Sequence, residues 1–167
     1  MSPFHLTSST LVDCPAGQAW TLLADYAVDP DWRQGVATMR PSVPGTVTPA
    51  TTTDEELRFA GRTWRNLGRV TAVEEGRWFT WETTQGADAH GRRSVRPVDA
   101  DRCQVTLDLW VTPHGIERLT APLLRRMLGR TLRDDLGRFA VLANQAATQD
   151  SSALATRSVP NAVSIAR

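Results

Sequence analysis

The chain has 167 residues, a formal net charge of +1 and 41% hydrophobic residues, values that are typical of a single globular domain. All 19 basic residues are arginine, so no lysine is present to form a Schiff base with a carbonyl compound or to bind phosphates in a nucleotide-binding loop. Since 18 acidic residues nearly balance these arginines, the chain has no overall field that would attract nucleic acid, and we expect no nucleic-acid partner.

The two cysteines and three histidines lie far apart along the chain. Cys14 and Cys103 lack the short spacing of a redox pair, and none of the histidines belongs to a zinc-binding pattern. We therefore expect reduced thiols, no metal site and no cofactor. The chain contains no run of roughly 20 apolar residues that could span a membrane, and its first residues do not resemble a secretory leader. These features predict a cytoplasmic protein and leave its oligomeric state open.

The beginning of the chain predicts a strand followed by two short helices. Residues 4–12 have the length and the β-branched content of a strand. A proline opens the helix predicted over residues 15–25, in which Trp20 lies on the apolar side and points inward. Residues 26–34 predict a second short helix that is broken at its Asp-Pro pair and ended by Gly35.

The middle of the chain changes to strand-like runs that are separated by short turns. Short joints between consecutive strands favour antiparallel neighbours, because a parallel connection needs a long crossover. The predicted strands are residues 36–43, 52–60, 62–74, 77–84, 90–98 and 103–112.

Alternation of residues assigns one face of four of these strands to the interior. Leu57 and Phe59 alternate with Arg58, so Glu55 also faces inward if its strand extends that far. Strand 90–98 alternates too irregularly to be oriented. The other residues assigned to the inner face are Trp64, Asn66, Gly68, Val70, Ala72, Phe79, Trp81, Thr83, Val105, Leu107, Leu109 and Val111.

The last element is a long helix predicted over residues 115–147. Its apolar residues step by four, so the apolar stripe winds slowly around the axis, as suits a helix that lies diagonally across a twisted sheet. Pro122 lies inside this pattern and predicts a kink around residues 118–122. Residues 148–167 show no sustained period, and we expect a flexible tail beyond a single domain of residues 1–147.

The order of these elements resembles the helix-grip fold of the START-like, or SRPBCC, superfamily. Four segments carry the resemblance, which covers about residues 4–147. It implies an α+β fold in which a seven-stranded antiparallel sheet wraps around the long C-terminal helix, with two short helices after the first strand and an elongated cavity between sheet and helix. The segments are CPAGQAW at 14–20, DPDW at 29–32, GRVTAVEEGRWFTWE at 68–82 and TPHGIERLTAPLLRRMLGRTLRDDLGRF at 112–139.

The predicted inner face carries more aromatic surface than one helix needs to cover. This favours a pocket for a flat or apolar molecule, and a closed aromatic core is the alternative. Trp32 resembles the superfamily's tryptophan after the broken second helix, near the cavity mouth. We expect the ligand to contact Trp32, Leu57, Phe59, Trp64, Asn66, Phe79, Trp81, Leu107, Leu109, Leu124 and Leu128.

Three polar residues are candidate catalytic groups. Asn66 can donate and accept hydrogen bonds toward a ketone or enol, or it can bond to backbone or water. Glu55 can act as a general acid or base with a pKa raised by burial, although a place near a strand end favours a solvated carboxylate. His90 is a candidate because an imidazole can donate or accept a proton in catalysis, but its neighbours favour a surface position. Arg92 and Arg93 are candidates for binding a carboxylate or phosphate at an entrance, or are ordinary exposed arginines of an edge strand.

The resemblance implies a polyketide cyclase or dehydrase that acts on a polyketide or aromatic intermediate. If the chain is such an enzyme, its mechanism rests on confining and orienting a reactive substrate, with one or two polar groups guiding proton transfer. Two alternatives stay open. One is a non-catalytic carrier of a lipid, an isoprenoid or a quinone, and the other is a protein-interaction module of the chaperone-activator type. The expected partner in the first two cases is a hydrophobic small molecule.

Overall fold

The structure, a computed structural model, describes residues 3–115 and 117–157, with side chains described for residues 3–115 and 120–149. The described residues form seven strands, three α-helices and one short 3-10 helix. The strands are β1 (Phe4–Val12), β2 (Val36–Pro41), β3 (Thr52–Phe59), β4 (Arg62–Glu74), β5 (Trp78–Gln85), β6 (Ala89–Pro97) and β7 (Cys103–Val111). The helices are α1 (Ala16–Leu23), the 3-10 helix Tyr26–Val28, α2 (Asp29–Trp32) and α3 (Glu117–Arg157).

The seven strands form one antiparallel sheet in the order β1-β7-β6-β5-β4-β3-β2. Every pair except β1 with β7 joins strands that are consecutive in sequence. Short turns connect the strands from β3 to β7, and a longer loop of residues 42–51 connects β2 to β3. The long helix α3 packs against β1 and the inner face of the sheet, and α1 packs beside it. This arrangement confirms the predicted α+β fold. Among the helices in the described part of the chain, none has the length and apolar character needed to cross a bilayer.

The predicted strands agree with the observed ones to within two residues at each end. The structure also orients β6, which places Gly91, Arg93 and Val95 on the inner face. Since β6 pairs with both β5 and β7, it is an interior strand and not an edge. The interpretation of Arg93 as an exposed edge-strand residue is therefore wrong.

A β-bulge in β4 changes which residues face inward. The register between β4 and β5 shifts between Val70 and Ala72. Val70 faces the core, but after the extra residue the inward position passes to Val73, which is paired with Phe79 and packs against the core. The inward assignment of Ala72 is corrected, because a one-residue insertion reverses the alternation.

The helix α3 continues through Pro122 and ends at Arg157, ten residues beyond its predicted end. Pro122 is the sixth residue of the helix, and the helix does not restart there. Residues 148–157, predicted to belong to a flexible tail, continue the helix. Residues 158–167, the rest of that predicted tail, lie outside the described residues.

Cys14 and Cys103, which are distant in the sequence, meet in the core and share a hydrogen bond between their thiols. Both cysteines are free. Burial raises the pKa of the Cys14 thiol and raises that of Cys103 to about 12. Both thiols therefore stay protonated at neutral pH.

The packed core occupies one end of the space between sheet and helix. It combines residues of α1, the inner face of β5 to β7 and the second half of α3. Trp20 packs there on Phe79, with ring centroids 6.1 Å apart in an edge-to-face arrangement. The first half of α3, which carries Leu124 and Leu128, faces a different region, and that region contains a cavity.

Candidate ligand-binding cavity

A cavity of about 200 Å³, here called the large cavity, lies between the inner face of β3 to β7 and the first half of α3. A second cavity of about 110 Å³, the small cavity, lies beside α2 and the middle of α3. The two share part of their lining, so they are neighbouring chambers of one space. The shared residues are Arg33, Leu57, Phe59, Trp81, Arg93, Leu109 and Leu128.

Most of the residues expected to contact a ligand line one of these chambers. Trp32 and Leu107 line the small cavity, where the indole of Trp32 packs edge-to-face on Phe139. The expected residues that line the large cavity are Leu57, Phe59, Trp64, Asn66, Trp81, Leu109, Leu124 and Leu128.

Phe79 is the exception among the expected ligand contacts. Its side chain is fully buried in the packed core, edge-to-face against Trp20 and Tyr26, and it lines neither cavity. Alternation along β5 does turn Phe79 inward, as expected. Phe79 lies near the end of the strand, where it is under α1. Alternation predicts which face of the sheet a residue lies on, but not its position along the sheet relative to the helices.

Glu55 and Asn66 form the polar centre of the large cavity. They lie directly opposite each other in the β3–β4 register, so both side chains point to the inner face. The amide nitrogen of Asn66 donates to Glu55 Oε2 at 2.8 Å, and Asn66 Oδ1 accepts from the backbone N–H of Ala87 at 3.1 Å. Glu55 is only 9% exposed, so the expectation of a solvated carboxylate near a strand end is corrected.

Arg33, at the end of α2, links this centre to a second carboxylate. Its Nη1 donates to Glu55 Oε1 at 2.8 Å and to Asp29 Oδ2 at 2.9 Å. Burial lowers the pKa of the Arg33 guanidinium, but the charges of Glu55 and Asp29 outweigh this effect and raise it overall. Among the described residues, no hydrogen bond reaches Nε or Nη2 of Arg33, which lines both cavities.

Arg93 completes a chain of ion pairs across the cavity wall. It donates two hydrogen bonds to the fully buried Asp29, at 2.7 and 2.6 Å, a bidentate geometry typical of strong arginine–carboxylate pairs. Its guanidinium also lies 4.8 Å from the ring centre of Tyr26 and 5.2 Å from that of Trp32. The resulting order is Arg93, Asp29, Arg33, Glu55 and Asn66.

Tyr26 lines the large cavity next to this chain. Burial raises the pKa of its phenol, so the hydroxyl stays protonated over the ordinary pH range. No hydrogen bond to this hydroxyl is found within the described part of the chain. It is therefore a proton donor that a ligand can reach.

His90 lies outside the cavity. It is an exposed residue on the outer face of β6, where its ring stacks on Trp110 at 5.2 Å. The guanidinium of its neighbour Arg92 lies 4.5 Å from the ring centre of Trp78 on the same outer face. His90 is therefore removed from the candidate catalytic groups. In the described ranges, no three residues of His, Cys, Asp or Glu are grouped so that they could hold a metal ion.

Three residues of the site, Tyr26, Asp29 and Arg33, were not among the expected site residues, and Arg93 was expected at an entrance or on an exposed edge strand and not in a buried ion pair. Asp29 and Arg33 are four residues apart in a helical segment, a spacing at which opposite charges pair, so this link was readable in the sequence. Tyr26 and Arg93 carried no comparable signal. Their places depend on how the segment after α1 docks on the sheet.

The sequence matches a known family over residues 3–144, and that family is described as polyketide cyclase/dehydrase and lipid transport. No curated protein matches the chain.

Several solved structures share the fold. The Zhui aromatase/cyclase of Streptomyces sp. R1128 aligns with a TM-score of 0.74 at 16% identity, over 86% of this chain and 95% of its own. A START superfamily protein of Mycobacterium smegmatis gives 0.66 at 16% identity, over 87% and 97% of the two chains. The di-domain ARO/CYC BexL of the BE-7585A biosynthetic pathway gives 0.65 at 16% identity, over 87% of this chain and 46% of its own. At such identities these similarities show the fold alone.

Proposed function

This chain belongs to the polyketide cyclase/dehydrase and lipid transport family, and from that premise we propose that it binds a polyketide or aromatic intermediate in the large cavity and catalyses its cyclisation or dehydration. One observation carries the proposal. A buried carboxylate, Glu55, is held between Arg33 and Asn66 at the wall of an otherwise largely apolar cavity. Polar groups placed in this way can guide proton transfer in a confined substrate.

The size and lining of the cavity suit a small aromatic or polyketone group. Its volume of about 200 Å³ exceeds the roughly 150 Å³ of an engineered apolar cavity that binds benzene. Phe59, Trp64 and Trp81 supply aromatic surface, against which a flat molecule can pack. A folded polyketide segment that forms one or two rings therefore fits, and a longer polyketide would extend out of the cavity.

The proposed reaction begins with removal of a proton from a carbon between two carbonyl groups. Glu55 accepts one hydrogen bond at each oxygen, which leaves further lone pairs to take this proton. Negative charge then develops on the carbonyl oxygen of the enolate. The free Nε and Nη2 of Arg33 are donors that can stabilise it.

In the next step the enolate carbon attacks a second ketone of the same chain, and one carbon–carbon bond forms as the carbonyl π bond breaks. The new alkoxide takes a proton from Tyr26, whose raised pKa keeps that proton on the phenol until this step. The proton that Glu55 took from carbon then returns to the Tyr26 phenolate, so both side chains regain their starting protonation states. Loss of the resulting hydroxyl as water, with a proton from the adjacent carbon, gives the double bond. Asn66 acts as a positioning residue, because its amide nitrogen holds the Glu55 carboxylate in place.

Replacement of Glu55 by glutamine tests the catalytic part of the proposal. Glu55→Gln keeps the shape of the side chain but removes the base, so turnover should fall by about 100-fold or more. The measurement is the appearance of aromatic absorbance from a short poly-β-keto thioester. His90→Gln on the outer face is the control and should keep the wild-type rate. Equal rates for wild type and Glu55→Gln would contradict the assignment of Glu55 as the base.

A second candidate function is non-catalytic transport of a lipid, an isoprenoid or a quinone, which the family description supports through its reference to lipid transport. Organic extraction of the purified protein followed by mass spectrometry separates the two, because a carrier should retain its lipid. The interaction-module alternative has less support, since an unfilled cavity is not needed for that role. A cytoplasmic location and a role in biosynthesis stay predictions.

A further inference from the structure

The charged groups around the large cavity balance each other. Asp29 and Glu55 supply two negative charges, and Arg33 and Arg93 supply two positive charges. Each arginine contacts a carboxylate at 2.9 Å or less, so the four groups form one continuous chain with no net charge. Each of these four charged side chains therefore has a partner of opposite charge.

The remaining charged groups near the two cavities are also paired. Asp135, in the wall of the small cavity, forms an ion pair with Arg138 of the next helical turn. Asp88, at the side of the large cavity, lies 2.7 Å from the ring of His114, and both side chains are more than half exposed to solvent.

Two more charged residues border the small cavity, but their charged ends lie on the outer face of the sheet. The guanidinium of Arg92 stacks over Trp78, and the carboxylate of Asp108 accepts a hydrogen bond from His5 at 3.0 Å. Within the described residues, the space between sheet and helix therefore offers no unbalanced positive charge.

Several donors that line the large cavity have no hydrogen-bond partner among the described residues. Arg33 presents Nε and Nη2, and Tyr26 presents its hydroxyl, none of which has a hydrogen bond in the described part of the chain. Both oxygens of Glu55 already accept a hydrogen bond. A carbonyl, quinone or ester oxygen fits such donors without bringing a charge into the cavity.

We propose that the large cavity selects uncharged, carbonyl-bearing ligands and discriminates against carboxylates of the same shape. This inference rests on the proposed binding function and names the class of ligand. A carboxylate placed beside Arg33 would be a third negative group around two arginines, and an apolar lining does not repay its lost hydration. The carboxyl end of a polyketide-type substrate must therefore be masked, as an ester or a thioester, wherever it enters the cavity.

A matched pair of probes tests this selectivity. Methyl 2-naphthoate and 2-naphthoate share the ring and the carbonyl carbon and differ in charge. Binding is followed by tryptophan fluorescence near neutral pH, where the acid is ionised. The wild-type protein should bind the ester at least about tenfold more tightly than the carboxylate, because only the carboxylate leaves an uncompensated charge in the cavity.

Glu55→Gln removes one negative charge from the network and leaves a net positive charge beside the ligand. This variant should gain about tenfold or more in affinity for 2-naphthoate, a larger change than that in its affinity for the uncharged ester. Glu56→Gln is the matched control, because Glu56 is the next residue of β3, has a 42% exposed side chain and carries the same charge. It should leave both affinities at the wild-type values.

The outcomes separate this inference from the function on which it rests. If wild type binds the carboxylate as tightly as the ester, or if Glu55→Gln gives no gain for the carboxylate, the selectivity is wrong and the cavity remains a binding site. If the wild-type protein binds neither probe while the fold is intact by circular dichroism, the binding function fails, and the selectivity fails with it.

Discussion

Glu55 is held at both ends of its carboxylate, and the two partners come from different parts of the chain. Arg33 follows α2 and bonds Oε1, whereas Asn66 lies on the neighbouring strand and bonds Oε2. The strand pairing places Asn66, but only the docking of α2 on the sheet places Arg33. The geometry of the Glu55 carboxylate thus depends on both local pairing and tertiary packing.

This division explains which site residues could be predicted. The inward positions of Glu55, Leu57 and Asn66 follow from alternation along two strands, and the structure confirms them. Arg33 and Arg93 could not be placed in the same way. An arginine in the interior is read as a surface residue unless its carboxylate partner is known, and Asp29 is 64 residues away from Arg93.

The carboxylates of the chain should titrate on both sides of the ordinary aspartate pKa. Burial raises the pKa of Asp135, and the lowering effects of the Gln34 N–H and the Arg33 charge do not offset this. A hydrogen bond from Arg102 lowers the pKa of the exposed Asp99. A carboxyl-carbon NMR titration should show Asp135 above, and Asp99 below, the value of about 3.9 for unperturbed aspartate. The reverse order would contradict both assignments.

The raised pKa of Asp135 also fixes the sign of its effect on stability. The folded state binds this proton more tightly than the unfolded chain, so the contribution of Asp135 is largest below the unfolded pKa and declines as the pH rises through the folded pKa. In the Asp135→Asn variant, the asparagine side chain has no acidic proton to lose. The variant's free energy of unfolding, measured in urea, should therefore rise relative to wild type as the pH increases from below the ordinary aspartate pKa of about 3.9 through the higher pKa of the folded state.

At the scale of single elements, β6 illustrates why alternation can fail. Its inward residues include a glycine and an arginine, neither of which marks a buried face in a sequence. Gly91 is needed because Trp81 of the paired strand lies across it. A Cβ atom there would be 2.7 Å from the indole and 2.6 Å from the carbonyl oxygen of Asp108. The glycine thus makes room for an aromatic wall of the cavity.

A methyl group at Gly91 should disturb this contact. Gly91→Ala must displace either the Trp81 indole or the β7 backbone, and we expect a loss of about 1–3 kcal/mol in the free energy of unfolding, together with weaker binding of methyl 2-naphthoate. Gly137→Ala is the control. Apart from its chain neighbours and the backbone of α3 itself, no atom lies within 4 Å of a Cβ added at this position, so Gly137→Ala should stabilise the protein by about 0.5–1 kcal/mol. Equal effects of the two variants on unfolding would contradict the close contact.

The length of α3 was predicted less well than its existence. Its apolar stripe fades near residue 147, and the helix goes on to Arg157. An apolar stripe reports where a helix contacts the sheet, whereas the end of the helix depends on backbone hydrogen bonds that polar residues also permit. The predicted end of α3 at residue 147 therefore marks the end of its contact with the sheet and not the end of the helix.

At the scale of the whole molecule, packing and binding are separated along α3. Leu136, Phe139 and Ala143, from the middle of the helix onward, belong to the packed core, while Leu124 and Leu128 nearer its start face the large cavity. A ligand would fill space at the end that the core leaves open. Its binding should stabilise the fold, because only the folded chain forms the cavity.

Thermal unfolding measures this coupling. Methyl 2-naphthoate at about one hundred times its Kd should add about 2.7 kcal/mol to stability, which corresponds to a rise of about 5–10 °C in Tm for a chain of this size. Leu128→Trp fills the cavity and should abolish the rise. Leu123→Trp is the control, because Leu123 lies on the same helix and is 59% exposed. This variant should keep the rise in Tm. A rise that persists in Leu128→Trp would show that the probe binds elsewhere.

The pairing of β1 with β7 has a consequence for the order in which the protein can assemble. β1 lies at the edge of the sheet, and β7 is its strand partner there, with Phe4 opposite Val111. Since β1 precedes the other six strands along the chain, it cannot pair with β7 until β7 has been synthesised. Contacts so distant along the chain slow folding, and the hairpins from β2 to β7 can form before them. The edge strand β1 is thus added to the sheet after β7 has been translated.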